Sequence, residues 1–157
     1  MSKTCEHIEI RCLRDDELQT AYKIRRQYLD DGPFDVWARE RQVHPDLFLA
    51  CLCNGKLIGI AYGRPSDTSE GVSEKDSATL NGIAVVEMFS GNGYGSQLLS
   101  FFNKQTKRVG YKTVGVGSAG GYVDRFYMKN GYTPIAYMIR LPSGKTGSPD
   151  LLTKHAI

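Results

Sequence analysis

Hydrophobic and polar positions alternate over residues 7–12, where two isoleucines and a cysteine are separated by polar side chains. A period of two predicts a first β-strand there. The apolar spacing then becomes helical, which predicts a helix capped by Asp15 and Asp16 and ended by Asp31-Gly32-Pro33. The predicted buried face of this helix consists of Leu18, Ala21, Tyr22, the stem of Arg25, and Tyr28 or Leu29.

The next elements follow from apolar runs and turn residues. Residues 34–43 predict a second helix. Apolar residues over 47–53 and 57–62 flank Asn54-Gly55, the dipeptide most typical of a tight hairpin. The polar stretch 64–76 predicts a mobile loop. The remaining pattern predicts a central strand over 78–86, a helix over 96–109 with Leu98, Leu99, Phe102 and Val109 inward, a strand over 113–117, a helix over 122–130 ended by Gly131, and a last strand over 135–141.

This mixture of helices and strands predicts an α/β or α+β domain. The 157 residues suffice for one domain, and no internal repeat is present. The net charge of +3 is too small to indicate binding of nucleic acid, although it suits an anionic cofactor. No apolar run reaches about 18 residues, so no membrane interaction is expected. The first residues lack an apolar signal region, which predicts a cytoplasmic protein.

The four cysteines, at positions 5, 12, 51 and 53, are not spaced like the ligands of a zinc site. Cys51 and Cys53 are two residues apart in a predicted strand, so both thiols are expected to face the core. From this pattern we expect neither a metal site nor a disulfide.

The most informative stretch begins where the central strand ends, because Gly91, Gly93 and Gly95 alternate just before a helix. Such a turn offers backbone N–H groups without obstructing side chains, and the helix dipole adds positive charge at the same place. These features favour a site for the pyrophosphate of a cofactor.

Two other phosphate-binding motifs do not fit this spacing. A P-loop requires lysine and then serine or threonine after its last glycine, whereas Gly95 is followed by Ser96-Gln97. A dinucleotide fingerprint reads G-x-G-x-x-G and has an acidic residue about 20 positions later. The glycines here are spaced G-x-G-x-G, and residues 112–117 contain no Asp or Glu.

Residues 83–99 resemble the signature of the GNAT acyltransferase superfamily. In that signature a Leu-Ala-Val strand leads through a turn to Gln or Arg, two residues, Gly, one residue, Gly or Ala, and a helix. Ile83-Ala84-Val85 fills the strand, and Gly93 and Gly95 fill the glycine positions. Ser90 stands where the family has Gln or Arg, and it lacks their long side chain.

A second segment supports the resemblance. The stretch Phe126-Tyr127-Met128-Lys129-Asn130-Gly131-Tyr132 is similar to the family's Leu-Tyr, three residues, and Gly-Phe or Gly-Tyr. Gly120 and Val123 depart from the asparagine and alanine that usually precede it. The two segments together are more specific than either alone, and a looser resemblance covers residues 9–141.

The resemblance implies a mixed sheet of six to seven strands, split in a V between the fourth and fifth strands and flanked by about four helices. It implies one domain over residues 1–157, and the tail, 142–157, is expected to be poorly ordered. The implied activity is an N-acetyltransferase that uses acetyl-CoA (coenzyme A) and transfers the acetyl group directly to a primary amine.

By the same resemblance, the turn holds the pyrophosphate and the pantetheine arm lies along the open edge of the central strand. A bulge is implied near Ala84 and Val85, where the Val85 N–H faces the thioester oxygen as an oxyanion donor. Tyr127 takes the position of the general acid for the departing thiolate. The implied cofactor-binding residues are Ile83, Ala84, Val85, Ser90, Gly91, Asn92, Gly93, Tyr94, Gly95, Ser96 and Phe126.

No general base is assigned, because Thr79 occupies the position where some relatives have glutamate. Lys129 could reach the cofactor phosphates, although a solvated helix lysine is the favoured interpretation. The candidate acceptor-binding residues are Tyr28, Phe34, Trp37, Tyr62, Asn81 and Tyr137. The acidic residues Asp30, Asp31, Asp35 and Glu40 suggest a cationic amine, and a solvated loop explains them equally well.

The sequence leaves the acceptor open among a small amine, an aminoglycoside-like compound, an amino acid, and a protein N-terminus or lysine. It also leaves a homodimer open. Two alternatives to the N-acetyltransferase remain. One is a non-catalytic domain that binds or senses acyl-CoA, suggested by Ser90, Gly120 and Thr79. The other is an acyltransferase for a different acyl-CoA, for which Gly115 and Gly117 would leave room.

Overall fold

The computed structural model describes residues 3–66, 76–117, 121–135 and 138–140. These residues form seven strands: β1 (Ile8–Cys12), β2 (Phe48–Cys53), β3 (Lys56–Pro65), β4 (Ser77–Val85), β5 (Thr113–Gly117), β6 (Thr133–Ile135) and β7 (Met138–Arg140). They also form four α-helices: α1 (Leu18–Tyr28), α2 (Phe34–Val43), α3 (Tyr94–Val109) and α4 (Gly121–Lys129). Short 3-10 turns occupy Asp15–Glu17, Pro45–Leu47 and Glu87–Phe89.

The described strands pair in one mixed sheet in the order β1-β2-β3-β4-β5-β7-β6. Neighbours are antiparallel except β4 and β5, which run parallel from the pair Ser77–Thr113 to the pair Leu80–Val116. Beyond Leu80, β4 continues to Val85 beside β3 alone, while β5 ends at Gly117 with β7 paired along its other edge. The sheet therefore splits between the fourth and fifth strands, which confirms the expected fold class.

The first half of the chain follows its pattern closely. α2 has its predicted bounds, β1 begins one residue later than predicted, and the hairpin between β2 and β3 turns at Asn54 and Gly55. Both turn residues have positive φ, 49° and 84°, as a tight two-residue hairpin turn requires.

The start of α1 differs from the prediction. Asp15 and Asp16 lie in a 3-10 turn, and neither side chain caps the helix. Instead the Glu17 carboxylate accepts a hydrogen bond from the Arg14 N–H and two from the Arg11 guanidinium, at 2.9 and 2.6 Å. This bidentate pair with β1 lowers the pKa of Glu17 and fixes the beginning of the helix.

Two further strand boundaries and the burial of one helix residue were predicted wrongly. Arg64 and Pro65 belong to β3 rather than to a loop, because β3 and β4 remain paired there. The predicted last strand is two short strands, β6 and β7, which pair with each other. Val109 is 43% exposed, because it is the last residue of α3 and the chain turns away at Gly110, whose φ is +119°. Gln105 and Thr106 are buried there instead.

The cysteine prediction was also wrong. Cys5 and Cys53 form a disulfide with a Cα–Cα distance of 5.7 Å, so Cys53 does not carry a free thiol in the core. Cys51 is buried and free, as expected, and burial raises its pKa to about 11. The bridge arises because β1 pairs with β2, with Ile8 opposite Cys53, and this places Cys5 beside the end of β2.

The implied strand bulge lies earlier than expected. Around Ala84 and Val85 the pairing with β3 is regular. The register shifts between Tyr62 and Gly63, which pair with Gly82 and Leu80, so Asn81 is the extra residue of β4. Residues 67–75 of the predicted loop and the predicted tail, 142–157, lie outside the described residues.

Candidate active site

The glycine turn joins the end of β4 to the start of α3. Gly91 and Gly93 have φ of +79° and +84°, and a Cβ at either would meet nothing within 4 Å, so the turn faces open space. The helix begins at Tyr94, two residues before its predicted start, and no side chain caps it. Its first intrahelical hydrogen bond at this end runs from the Gln97 N–H to the Gly93 carbonyl. The N–H groups of the first turn therefore remain available to an anion.

A groove of about 400 Å³ opens along this turn. Its walls are the end of β4, the turn itself, the first residues of α3, and parts of α1 and α4. It brings together all the residues expected to bind a cofactor except Asn92: Ile83, Ala84, Val85, Ser90, Gly91, Gly93, Tyr94, Gly95, Ser96 and Phe126. The Asn92 amide instead donates to the backbone carbonyls of Lys3 and Phe89.

Three further residues line the groove: Tyr28 and Phe89, which were not expected there, and Lys129, for which the solvated interpretation was favoured. Tyr28 was assigned to the acceptor side, but its hydroxyl accepts a hydrogen bond from the Glu87 N–H beside the turn. Lys129 is the last residue of α4, so its amine can reach over the groove. The sequence could have indicated this position, because Lys129 follows Phe126 by three residues and residues three apart lie on the same face of a helix.

The open edge of β4 presents the Val85 backbone to the split. The Val86 N–H donates to the Ile58 carbonyl at 2.8 Å, so the neighbouring pair, Val85 and Gly59, is a non-hydrogen-bonded pair of the antiparallel ladder. The N–H and carbonyl of Val85 therefore point away from β3. On that side β5 pairs with β4 only up to Leu80, which leaves the edge open.

Tyr127 is fully buried and does not line the groove, although its neighbour Phe126 does. Its ring packs against those of Phe126 and Tyr132, with centroids 5.5 and 5.4 Å away. Within the described part of the chain, its hydroxyl has no hydrogen-bond partner. Burial, and next the charge of Asp124, raise the pKa of this phenol well above its usual value.

The candidate acceptor residues do not all come together. Phe34, Trp37 and Tyr62 form an aromatic cluster with Tyr22 and Phe48, which were not expected to take part. Asn81 is the bulged residue of β4, and Tyr137 lies outside the described residues.

The guanidinium of Arg25 already packs against this aromatic cluster, where a substrate cation would otherwise bind. Its guanidinium carbon lies 5.7 Å from the Trp37 ring centroid and 5.8 Å from that of Tyr62. It also donates to the Tyr62 hydroxyl, the Gly32 carbonyl and the Asp30 carboxylate. Since Trp37 and Tyr62 are only 2% and 6% exposed, the cluster is a packed wall and not an open cage for a substrate cation.

The acidic residues near the first interhelical turn likewise do not form one surface. Asp30 binds Arg25, while Asp35 and Glu40 line separate clefts, each of which contains arginine. Thr79 is buried, and its hydroxyl lies 2.8 Å from that of Ser66. Among the described side chains, no cluster of three or more His, Cys, Asp or Glu residues could hold a metal ion.

A family model described as "Acetyltransferase (GNAT) family" matches residues 6–132. The chain belongs to this family. Its sequence resemblance to GNAT enzymes is thereby confirmed, and the family assigns it to the acyltransferases. No match was found among curated proteins.

Solved structures of this family share the fold. Ard1 from Thermoplasma volcanium is 18% identical with a TM-score of 0.70, covering 85% of this chain and 95% of its own. A GNAT acetyltransferase from Brucella melitensis, in complex with acetyl-CoA, is 20% identical with a TM-score of 0.67, covering 96% of both chains. The ribosomal-protein-S18-alanine N-acetyltransferase from Escherichia coli is 19% identical with a TM-score of 0.68, covering 90% of this chain and 97% of its own.

None of the helices in the described ranges is long and apolar enough to cross a membrane.

Proposed function

We propose that the chain is an N-acetyltransferase that moves the acetyl group of acetyl-CoA directly to a primary amine. The observation that carries this proposal is the coincidence of two features in one groove. The uncapped start of α3 and its glycine turn suit a pyrophosphate, and the unpaired edge of β4 suits an extended pantetheine arm. Acetyl-CoA has these two parts in this order.

The cofactor phosphates would be held by the backbone N–H groups of residues 90–96. Ser90 lacks the long side chain that the family has at this point, and Lys129 supplies a positive charge to the same groove from α4. An ammonium group over a pyrophosphate site strengthens anion binding as a point charge does. Lys129 is therefore assigned to the cofactor, the alternative that the sequence had left less favoured.

The reaction forms one C–N bond and breaks one C–S bond. The neutral amine attacks the thioester carbon, and the Val85 N–H stabilises the oxyanion that develops. When the C–S bond breaks, the CoA sulfur leaves as a thiolate and Tyr127 donates a proton to it. The proton lost by the amine passes to solvent, from which the phenolate is reprotonated, so the products are an amide and free CoA.

The unpartnered hydroxyl of Tyr127 supports this role. A hydroxyl that donates to no described group is available to a thiolate. For the acid to act, the cofactor sulfur must reach the base of the split, where β4 and β5 separate.

The acceptor is proposed only as a primary amine. Two proteins with this fold are the ribosomal-protein-S18-alanine N-acetyltransferase from Escherichia coli and the NatC complex, whose structure contains a Gag peptide and CoA. A peptide N-terminus therefore belongs in the first panel of acceptors, beside lysine and small amines.

Thermal unfolding tests the cofactor. Acetyl-CoA at about 100 times its Kd should add about 2.7 kcal/mol to the free energy of unfolding. For a domain of this size the Tm should rise by roughly 5–10 °C. NADP and ATP serve as controls and should cause no comparable shift. A protein stabilised by NADP but not by acetyl-CoA would show that the turn binds another cofactor. If acetyl-CoA binds, CoA release with each amine of the panel then tests the transfer.

A second candidate function is a non-catalytic acyl-CoA-binding domain. It is favoured by the complete burial of Tyr127, outside the groove lining, and by Thr79 at the usual base position. Such a domain would bind acetyl-CoA and release no thiol with any amine, so the same two measurements separate it from an enzyme.

A further inference from the structure

The first described residues of the chain are hydrogen-bonded to the glycine turn. The Lys3 N–H donates to the Met88 carbonyl at 2.6 Å, and the Asn92 amide donates to the Lys3 carbonyl at 2.5 Å. The Cys5 N–H donates to the Tyr94 hydroxyl at 2.7 Å. These three partners lie before, within and directly after the turn. Residues 3–5, called here the N-terminal clasp, therefore contact the turn at one position and the chain on each side of it.

The clasp is attached to the sheet by the Cys5–Cys53 disulfide. Cys53 is the last residue of β2 and is buried, so the attachment point is rigid. Cys5 is only partly buried, so a small reductant can reach the bridge. The bridge spans 48 residues in sequence, and it links the clasp to β2 in addition to the peptide chain that joins the clasp to β1.

The turn needs such support. Gly91 and Gly93 have positive φ, and no atom lies within 4 Å of where their Cβ atoms would be, so no packing fixes their backbone from that side. The hydrogen bonds from Asn92 and to Tyr94 are among the contacts that restrict it. Backbone N–H groups bind an anion well only when they are held in the correct orientation beforehand.

We propose that the clasp positions the turn for cofactor binding and that the thiol–disulfide state of Cys5 and Cys53 controls this positioning. The proposal rests on the proposed function, since the ligand of the turn is taken to be CoA. A dithiol reductant supplies two electrons and two protons. The Cys5–Cys53 bond breaks to give two thiols, and the reductant becomes a cyclic disulfide. Apart from the peptide chain that joins it to β1, the clasp is then held by hydrogen bonds alone, and residues 3–5 can leave the turn.

The other two cysteines provide controls. Cys51 is buried in β2 and Cys12 lies in β1, and neither is bridged. Replacing Cys12 with serine removes one thiol and leaves the bridge and the clasp unchanged. Replacing Cys5 with serine removes the bridge while it alters only a residue of the clasp, outside the strands and helices.

The test compares the affinity of the full chain for desulfo-CoA, which carries no thiol to exchange with the bridge. Isothermal titration is run on the oxidised protein and on the protein reduced with dithiothreitol, with the number of free thiols confirmed by mass spectrometry. Losing one or two hydrogen bonds at the turn corresponds to a roughly three- to thirtyfold larger Kd in the reduced state. Cys5→Ser should bind with the weak affinity in both states, and Cys12→Ser should respond to reduction as wild type does.

Hydrogen exchange of the ligand-free protein gives an independent readout. The amides of Phe89, Ser90 and Gln97, which are hydrogen-bonded at the two ends of the turn, should exchange faster after reduction, while those of β3 and β4 should be unchanged. In Tyr94→Phe, which keeps the ring and removes the acceptor of the Cys5 N–H, the effect of reduction on exchange should be smaller.

The outcomes separate the two proposals. Equal Kd values and equal exchange in both redox states would overturn the clasp and leave the cofactor assignment intact. Absence of desulfo-CoA binding in both the oxidised and the reduced protein would overturn the cofactor assignment. A difference in exchange would then still support the mechanical coupling, and its absence would reject that as well.

Discussion

At the scale of single residues, Tyr127 and Tyr132 form a matched pair. Both are buried and their rings touch, with centroids 5.4 Å apart. The Tyr132 hydroxyl donates to the Asn103 side chain at 2.6 Å, whereas that of Tyr127 has no partner in the described chain. The first hydroxyl is accounted for by stability. The second is left without a partner in the described chain, as the proposed proton donor to a bound thiolate would be.

Replacing Tyr127 with phenylalanine should therefore lower kcat by about 100-fold or more, which is the usual contribution of a general acid. The Kd for acetyl-CoA and the Tm should stay close to those of wild type, because no protein hydrogen bond is lost. Tyr132→Phe is the control: it should lower stability by about 1 kcal/mol and leave the chemical step nearly unchanged. Steady-state kinetics and thermal unfolding of both variants check this, and an undiminished kcat in Tyr127→Phe would remove the residue from the mechanism.

At the scale of elements, the turn between β4 and α3 contains glycines with different reasons for being glycine. Gly93 adopts a left-handed conformation that other residues rarely accept. Gly95 lies within α3, and a Cβ there would meet the Phe126 ring at 3.7 Å, an ordinary contact. The conformation of the turn thus requires Gly93, while Gly95 leaves space that the fold itself does not need.

The pair predicts opposite results for alanine. Gly93→Ala should destabilise the protein by about 1–2 kcal/mol and weaken acetyl-CoA binding, since the strained turn disorders the N–H groups behind it. Gly95→Ala should leave both nearly unchanged or raise the stability slightly, because alanine favours a helix. Denaturant unfolding and isothermal titration measure these effects. A Gly95→Ala variant as damaged as Gly93→Ala would show that the cofactor approaches the helix more closely than the turn.

At the scale of the whole molecule, the fold buries several phenols without charge. Burial raises the pKa values of Tyr62, Tyr127 and Tyr132, most strongly for the last two. The pKa of a tyrosine in the unfolded chain is about 10. Folded values above this mean that the buried phenols contribute full stability below about pH 10. That stability is lost as the pH rises and the unfolded chain ionises first.

An alkaline titration should therefore show a cooperative step. Absorbance at 295 nm would rise for accessible tyrosines while the far-UV circular dichroism stays native. Tyr62, Tyr127 and Tyr132 would ionise only together with unfolding, and the free energy of unfolding measured in denaturant would fall steadily above about pH 10. A smooth ionisation of all nine tyrosines in a protein that is still native would contradict the burial of these three.

Local sequence was enough to predict the glycine turn that lines the groove, because a strand end, a glycine turn and a helix start are adjacent in the chain. The same holds for the Asn54-Gly55 hairpin and for the bounds of α2 and β5. Here the backbone conformation is fixed by residues within a few positions of one another. Family resemblance added the split of the sheet, which local pattern does not encode.

The tertiary structure alone decided which side chains meet. Arg25 fills the aromatic cluster, Lys129 lines the groove, and the Cys5 N–H reaches Tyr94 across 89 residues of sequence. These contacts depend on strand order and helix packing, which bring distant segments together for the burial they achieve as a set. The sequence by itself determined the local geometry that can hold a phosphate. Only the folded chain placed a disulfide-bound segment against the glycine turn. It also packed Arg25 against Trp37 and Tyr62, two of the candidate acceptor-binding residues.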